Sequence, residues 1–165
     1  MMDGVNRQGV MDSQQGQPPG GKAQVFRRIF EESAIGIVLM DPEGCILESN
    51  PAFARMVGYS PDELRGMTVA ELTHPEDWEA ELAALHQTLR TRDRNHTLRK
   101  EKRYRHRDGH IVWGRLTASV IWDARGVPVF GLALVEDITE QRRARQALEE
   151  SFQLYRLLFT EMLSG

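Results

Sequence analysis

The sequence contains one cysteine, Cys45, in 165 residues. A single thiol excludes an intramolecular disulfide framework and a multi-cysteine zinc site, and it suits a reducing compartment. No apolar run approaches the ~18 residues needed to span a bilayer. The N-terminus lacks a basic segment followed by an apolar one, so no secretory leader is expected and the chain reads as cytoplasmic. Charge of one sign is also missing: 21 Lys and Arg face 24 Asp and Glu, a net charge of −3. No global field therefore draws the chain to nucleic acid or to an anionic membrane. Nor is there a nucleophile–base pair or a pair of carboxylates in a catalytic pattern, which speaks against a free-standing enzyme.

What is present is an ordinary globular composition, 41% hydrophobic and 27% charged, enough for one domain with a real core. Residues 1–22 are rich in Gly, Gln, Pro and Asp and are expected to be disordered, because they bury too little to offset their ordering entropy. Helical spacing starts near Ala23, with Val25, Phe26 and Ile29 on one face. Residues 35–40 read as a strand, Asp41-Pro42-Glu43-Gly44 as its turn, and residues 45–48 as the return. Asn50-Pro51 marks a helix start, with Asn as N-cap and Pro at the first helical position. Ser60 and Glu63 form a capping box for a second short helix. A longer helix is expected from about Pro75 to Leu89, burying the stripe Trp78, Leu82, Leu85 and Leu89.

From Arg103 to Arg142 the pattern changes to period two. Turn signals at Asp108-Gly109 and at residues 123–126 are flanked by β-branched and aromatic residues, the local mark of antiparallel hairpins. Residues 129–135 are apolar at nearly every position, with Leu132 and Leu134 on one side and Ala133 and Val135 on the other. Both faces of the sheet then need cover, from helices on one side and from the N-terminal helix or a partner chain on the other. Asp137 and Thr139 can accept from free backbone N–H groups where the chain turns into a helix. The order of elements gives an α+β class, with helices on one face of a single antiparallel sheet.

The C-terminal helix, residues 140 to about 163, carries Leu148, Tyr155 and Leu158 on a weak coiled-coil seam. Its end, QLYRLLFTEMLSG, matches QVFRRIFEESAIG at residues 24–36, with Gln, Arg, Phe, Glu and Gly in register. A repeat of this kind signals a tandem array.

Four stretches together resemble a PAS domain with its C-terminal PAC segment: NPAFARMVGYSPDELRG (50–66), HPEDW (74–78), EKRYRHRDGHIVW (101–113) and EDITEQR (136–142). The resemblance covers roughly residues 24–142. It implies a domain at 23–139, a five-stranded antiparallel sheet of order 2-1-5-4-3 with short helices on one face, and a signalling helix at 140–165. It also implies a sensory and dimerising module in a bacterial signalling protein. A homodimer is expected, with Val25, Phe26, Ile29, Leu148, Tyr155 and Leu158 as the candidate dimer and linker residues. It passes its signal through the junction Asp137-Ile138-Thr139 to an effector, a histidine kinase or cyclic-di-GMP enzyme, or to a second PAS repeat. Helix breakers near Glu140 are expected to uncouple sensing from output. A ligand-free scaffold for protein assembly is the alternative.

The resemblance places any ligand between sheet and helices. The residues offered there are Phe53 and Met56, then Trp78, Leu82, Leu85 and His86 of the longer helix. Gly114, Leu116, Ala118, Ala133 and Val135 follow from the last two strands, where small side chains leave room. A small organic ligand or non-covalent flavin is compatible with them. Covalent flavin chemistry of the LOV type needs a helical cysteine, and Cys45 lies beside a turn. Haem needs an axial histidine where Leu82 stands, with His86 one turn away. His106, Asp108 and His110 could meet at one hairpin, but the turn itself explains Asp108, and no metal is assigned. The basic stretch 90–107 alternates in charge with Tyr104 as its only aromatic. That is the pattern of a solvated strand face or of intersubunit salt bridges rather than of a nucleic-acid site.

Overall fold

A computed structural model describes residues 20–165. Most of the segment expected to be disordered lies outside them, although Gly21 and Lys22 already belong to the first helix. The elements are α1 (Gly21–Glu32), β1 (Gly36–Met40), β2 (Ile46–Ser49), α2 (Pro51–Val57), α3 (Pro61–Leu64), α4 (Pro75–Thr91), β3 (Thr97–Arg105), β4 (Ile111–Trp122), β5 (Pro128–Asp137) and α5 (Thr139–Ser164). The five strands form one sheet in the order β2-β1-β5-β4-β3. All four pairings are antiparallel, so the expected topology is the one observed.

Local chemistry explains the starts and stops. Asn50 caps α2 by accepting from the Phe53 N–H at 3.1 Å, and it does more. Its side chain also accepts from Ile37 N–H at 2.8 Å and donates to Ile35 C=O at 2.9 Å. Fully buried, with both its oxygen and its nitrogen bonded, Asn50 ties the start of β1 to the start of α2. Ser60 and Glu63 make the expected capping box on α3.

The core lies between the sheet and α2, α3 and the 64–72 segment. Val38, Phe53, Val57, Leu64, Leu72 and Leu116 are each at most 2% exposed. Outside it, α1 has no buried residue. The outer sheet face keeps Leu134 and Ile121 exposed, so within this chain the N-terminal helix does not cover that face as the apolar β5 sequence demands. No helix among the described residues is long and apolar enough to cross a membrane.

Candidate functional site

A cavity of about 380 Å³ lies between α4 and the sheet, a size in the range of small-ligand sites. Its floor is built where Leu116 pairs with Val135 and Ala118 with Ala133 across β4 and β5. Small side chains at the Ala118–Ala133 pair keep the floor low. Val38 and Phe53 close one side, Trp78, Leu82 and Leu85 of α4 form the cover, and residues 41–44 with His86 and His96 line the rim.

The cover stands off from the sheet. Trp78, Leu82, Leu85 and Leu89 were expected to be buried, but each is only half-buried, and Thr88 alone is buried in α4. The helical stripe is real, but the side chains on the floor are too short to reach it, and the gap is the cavity.

Nine of the eleven residues offered to a ligand by the sequence line this space: Phe53, Trp78, Leu82, Leu85, His86, Leu116, Ala118, Ala133 and Val135. His86 is exposed at the rim. Met56 and Gly114 lie outside the lining. A Cβ on Gly114 would sit 2.5 Å from the Tyr104 ring and 3.0 Å from Met56 Cε. The missing side chain there makes room for Tyr104, which packs edge-on against Phe53, and not for a ligand.

The structure adds a residue that the reading of a solvated basic strand missed. Leu98, Lys100, Lys102 and Tyr104 share the inner side of β3, and Lys102 is 2% exposed. Its Nζ donates to Glu81 Oε2 of α4 at 2.7 Å and to Thr73 Oγ1 at 3.0 Å, and lies 4.5 Å from the centre of the Tyr104 ring. Burial pulls the Lys102 pKa down while the Glu81 carboxylate opposes that pull. The alternation Leu98-x-Lys100-x-Lys102-x-Tyr104, with an apolar residue at each end, is the sequence signal for this inward lysine.

On the outer side, Glu101 and Arg103 of β3 pair within the chain. Asp77, in the first turn of α4, accepts from the Arg103 backbone N–H at 2.7 Å and from its guanidinium at 2.8 and 3.0 Å. Those bonds hold the Asp77 carboxyl down at about 2. Arg103 also reaches Trp113 of β4, with its guanidinium carbon 5.9 Å from the ring centre. Arg142 of α5 lies 3.5 Å from the same ring and 2.5 Å from Glu101.

At the β5–α5 junction Ile138 is 1% exposed, and its N–H donates to Trp113 C=O at 2.9 Å. Asp137 accepts from Thr139 N–H at 2.9 Å, as expected. The Thr139 hydroxyl instead accepts from the Trp113 N–H at 3.0 Å, so it serves β4 and not its own helix. The first turn of α5 is thereby fastened to the start of β4.

His106, Asp108 and His110 do come together at the β3–β4 turn, with potential ligand atoms within 4.8 Å of one another. Asp108 accepts from the His110 backbone N–H at 3.0 Å, and its own N–H donates to His106 Nδ1 at 3.2 Å, bonds of an ordinary polar turn. Cys45 lies in the β1–β2 turn, where partial burial and the Asp41 carboxylate push its thiol up. Along α1 and α5, Val25, Phe26, Ile29, Leu148, Tyr155 and Leu158 are all exposed.

The sequence profile of the PAS fold matches residues 46–135. The chain is 37% identical over 125 residues to the protein named "Probable diguanylate cyclase DgcE" of Escherichia coli strain K12, covering 76% of this chain and 11% of that protein. It is 30% identical over 125 residues to the sensor histidine kinase TmoS of Ectopseudomonas mendocina, covering 76% of this chain and 13% of TmoS. Among solved structures, a PAS domain from Colwellia psychrerythraea superposes with a TM-score of 0.64 at 25% identity, over 72% of this chain and 98% of that one. The chain thus spans little more than a tenth of the length of these curated relatives.

Proposed function

The chain belongs to the PAS fold family, and on that premise we propose that it is the cytoplasmic sensory module of a longer signalling protein. It holds a small ligand in the cavity under α4 and reports occupancy through α5 to an effector domain or a second repeat. The observation that carries this reading is the cavity's position. Its floor is the β4–β5 pair, and β5 runs directly into α5 through a buried Ile138. A ligand that changes how α4 sits or how β4 and β5 pair acts on the strands that hold the first turn of α5. Its effect is limited to its differential affinity for the two arrangements.

The relatives support the output side of this proposal by name: one is a diguanylate cyclase, the other a sensor histidine kinase. The lining supports a non-covalent ligand. Cys45 is outside it, so a thiol adduct with a flavin has no partner in the cavity. Leu82 occupies the face of α4 where an axial imidazole would be needed, with His86 only at the rim.

Purification of the chain tests the proposal. Near-ultraviolet and visible absorbance reveals a flavin or haem, and native mass spectrometry reveals a colourless ligand and the oligomeric state. A retained small molecule is the expected result. A protein that runs at its bare mass, and that no compound in a thermal-shift screen stabilises, would contradict it. That outcome favours the second reading, a ligand-free assembly scaffold. The exposed apolar residues of α1, α5 and the outer sheet face support this alternative.

A further inference from the structure

We propose that the cavity takes an apolar molecule bearing one carboxylate, and that this carboxylate replaces Glu81 as the partner of Lys102. The inference rests on the reading of the cavity as a ligand site and goes on to name the ligand's chemical class.

Lys102 is the only Lys or Arg among the described residues of the lining. The other full charges there are the acids Asp41, Glu43 and Glu81, so Lys102 is the place where the wall favours negative charge. Around its Nζ, two groups belong to the sheet side. Thr73 sits in the segment bridged to Tyr104, and Tyr104 supplies its ring face. Only the counterion, Glu81, comes from α4.

An ion pair in an apolar setting seldom adds net stability, because desolvation of the two charges cancels much of their attraction. A leucine–methionine pair would hold α4 at least as well. What the pair uniquely supplies is a buried cation whose anion sits on a movable element. α4 is poorly buried, with Thr88 its one buried residue. Its other polar ties to the sheet, from Glu76 and Asp77 to Arg103 and from Lys100 Nζ to the Asp77 C=O at 3.2 Å, lie at its N-terminal end.

An incoming carboxylate that takes the Glu81 position leaves Lys102 neutralised and its Thr73 bond intact. Glu81, whose side chain is already 14% exposed, then turns to solvent and takes the middle of α4 with it. A neutral ligand cannot make this exchange, since it would strand the lysine without a counterion. A cationic ligand is repelled by Lys102. The apolar remainder of the molecule lies along Leu82, Leu85, Leu116 and Val135. Exchange of one anion for another turns occupancy into movement of the cover.

The test is isothermal titration of the full chain with decanoate, decanol and decylamine, which share an apolar body and differ in charge. Decanoate is expected to bind roughly tenfold or more tightly than decanol, the scale of a charge-assisted bond against a neutral one, and decylamine not measurably. Glu81→Gln removes the competing anion and is expected to strengthen decanoate binding. Lys102→Met is expected to abolish the preference for decanoate over decanol. The double variant Lys102→Met, Glu81→Leu removes both charges and serves the same purpose if the single variant does not fold.

Equal binding of decanol and decanoate overturns the proposed class, as does a preference that survives loss of Lys102. Either outcome leaves the cavity standing as a ligand site. Failure of all three compounds to bind also overturns the class, and the native mass spectrum of the purified chain then judges the broader reading independently. Weaker decanoate binding by Glu81→Gln overturns the exchange.

Discussion

The guanidinium of Arg142 lies 3.5 Å from the centre of the Trp113 ring. One residue from the first turn of α5 thus covers an aromatic at the start of β4, and Arg103 reaches the same ring from β3. Arg103 is in turn bound to Asp77 of α4. The cover of the cavity and the exit helix are therefore joined by one contiguous set of packed charges around an indole.

Replacing Trp113 with Leu keeps an apolar residue on the strand but removes the surface shared by both arginines. A stacked, partly desolvated pair of this kind is worth about 0.5–2 kcal/mol. Hydrogen exchange of amides 142–145 is expected to quicken while the β1–β5 amides hold their protection. Unchanged exchange in α5 would show that the stacking does not hold the helix.

The breaker position in α5 is also defined. The first helical bond is that of Arg142 N–H to Ile138 C=O at 2.9 Å. Proline at Glu140, the expected point of uncoupling, falls in the first turn, where no N–H bond is lost and proline is tolerated. Proline at the exposed Arg143 removes a bond and clashes with the preceding turn, at a cost of about 3 kcal/mol. Circular dichroism is expected to show loss of helix from Arg143→Pro and little change from Glu140→Pro.

Asp77 gives the fold an acid limit. Its carboxyl sits at about 2 in the folded chain against an ordinary 3.8. The folded value is the lower one, so the unfolded chain binds the extra proton first. Stability from this group is whole above about pH 4 and is lost as pH falls from there through about 2, a total of about 2 kcal/mol. Chemical denaturation of Asp77→Asn is expected to show that deficit at neutral pH and a shallower loss between pH 4 and 2. An unaltered slope would mean that another carboxylate sets the acid limit.

Asn50→Ala strands Ile37 N–H, Phe53 N–H and Ile35 C=O, the three groups that the side chain satisfies. The combined loss of a cap and of buried partners is about 2–4 kcal/mol, measured as a lower denaturant midpoint with an unchanged slope. Gly114→Ala forces the Tyr104 ring to move, since its Cβ would lie 2.5 Å away. An overpacking cost of about 1–3 kcal/mol is expected, together with a change in the binding of any ligand that touches Lys102.

Much of the fold was legible because its signals are local. Asp108-Gly109 and Asp123 with Gly126 fix two hairpins, and Asn50-Pro51 and the Ser60–Glu63 box fix two helix starts. The site was legible only where burial follows side-chain type. Small residues at Ala118 and Ala133 do line the cavity, but the same reasoning misplaced Gly114, because a gap in the sequence does not say whether a ligand or a tyrosine fills it. Lys102 was hidden in a run of charges. Its inward direction depends on strand register, and its stability depends on Thr73 and Glu81, 29 and 21 residues away. The depth of α4 was not legible either, since helical periodicity gives the face that turns inward but not how far the helix stands from the sheet.

In a sensor built this way, the state of the cavity is felt at the start of α5. Ala118→Phe places a ring in the cavity without touching the junction, and hydrogen exchange can be compared with the unaltered chain. Altered protection is expected at Ile138, Arg142 and the following turn of α5, along with α4. Altered protection confined to α4 and its neighbours on β3, with α5 exchanging as before, would mean that the cavity and α5 are not coupled.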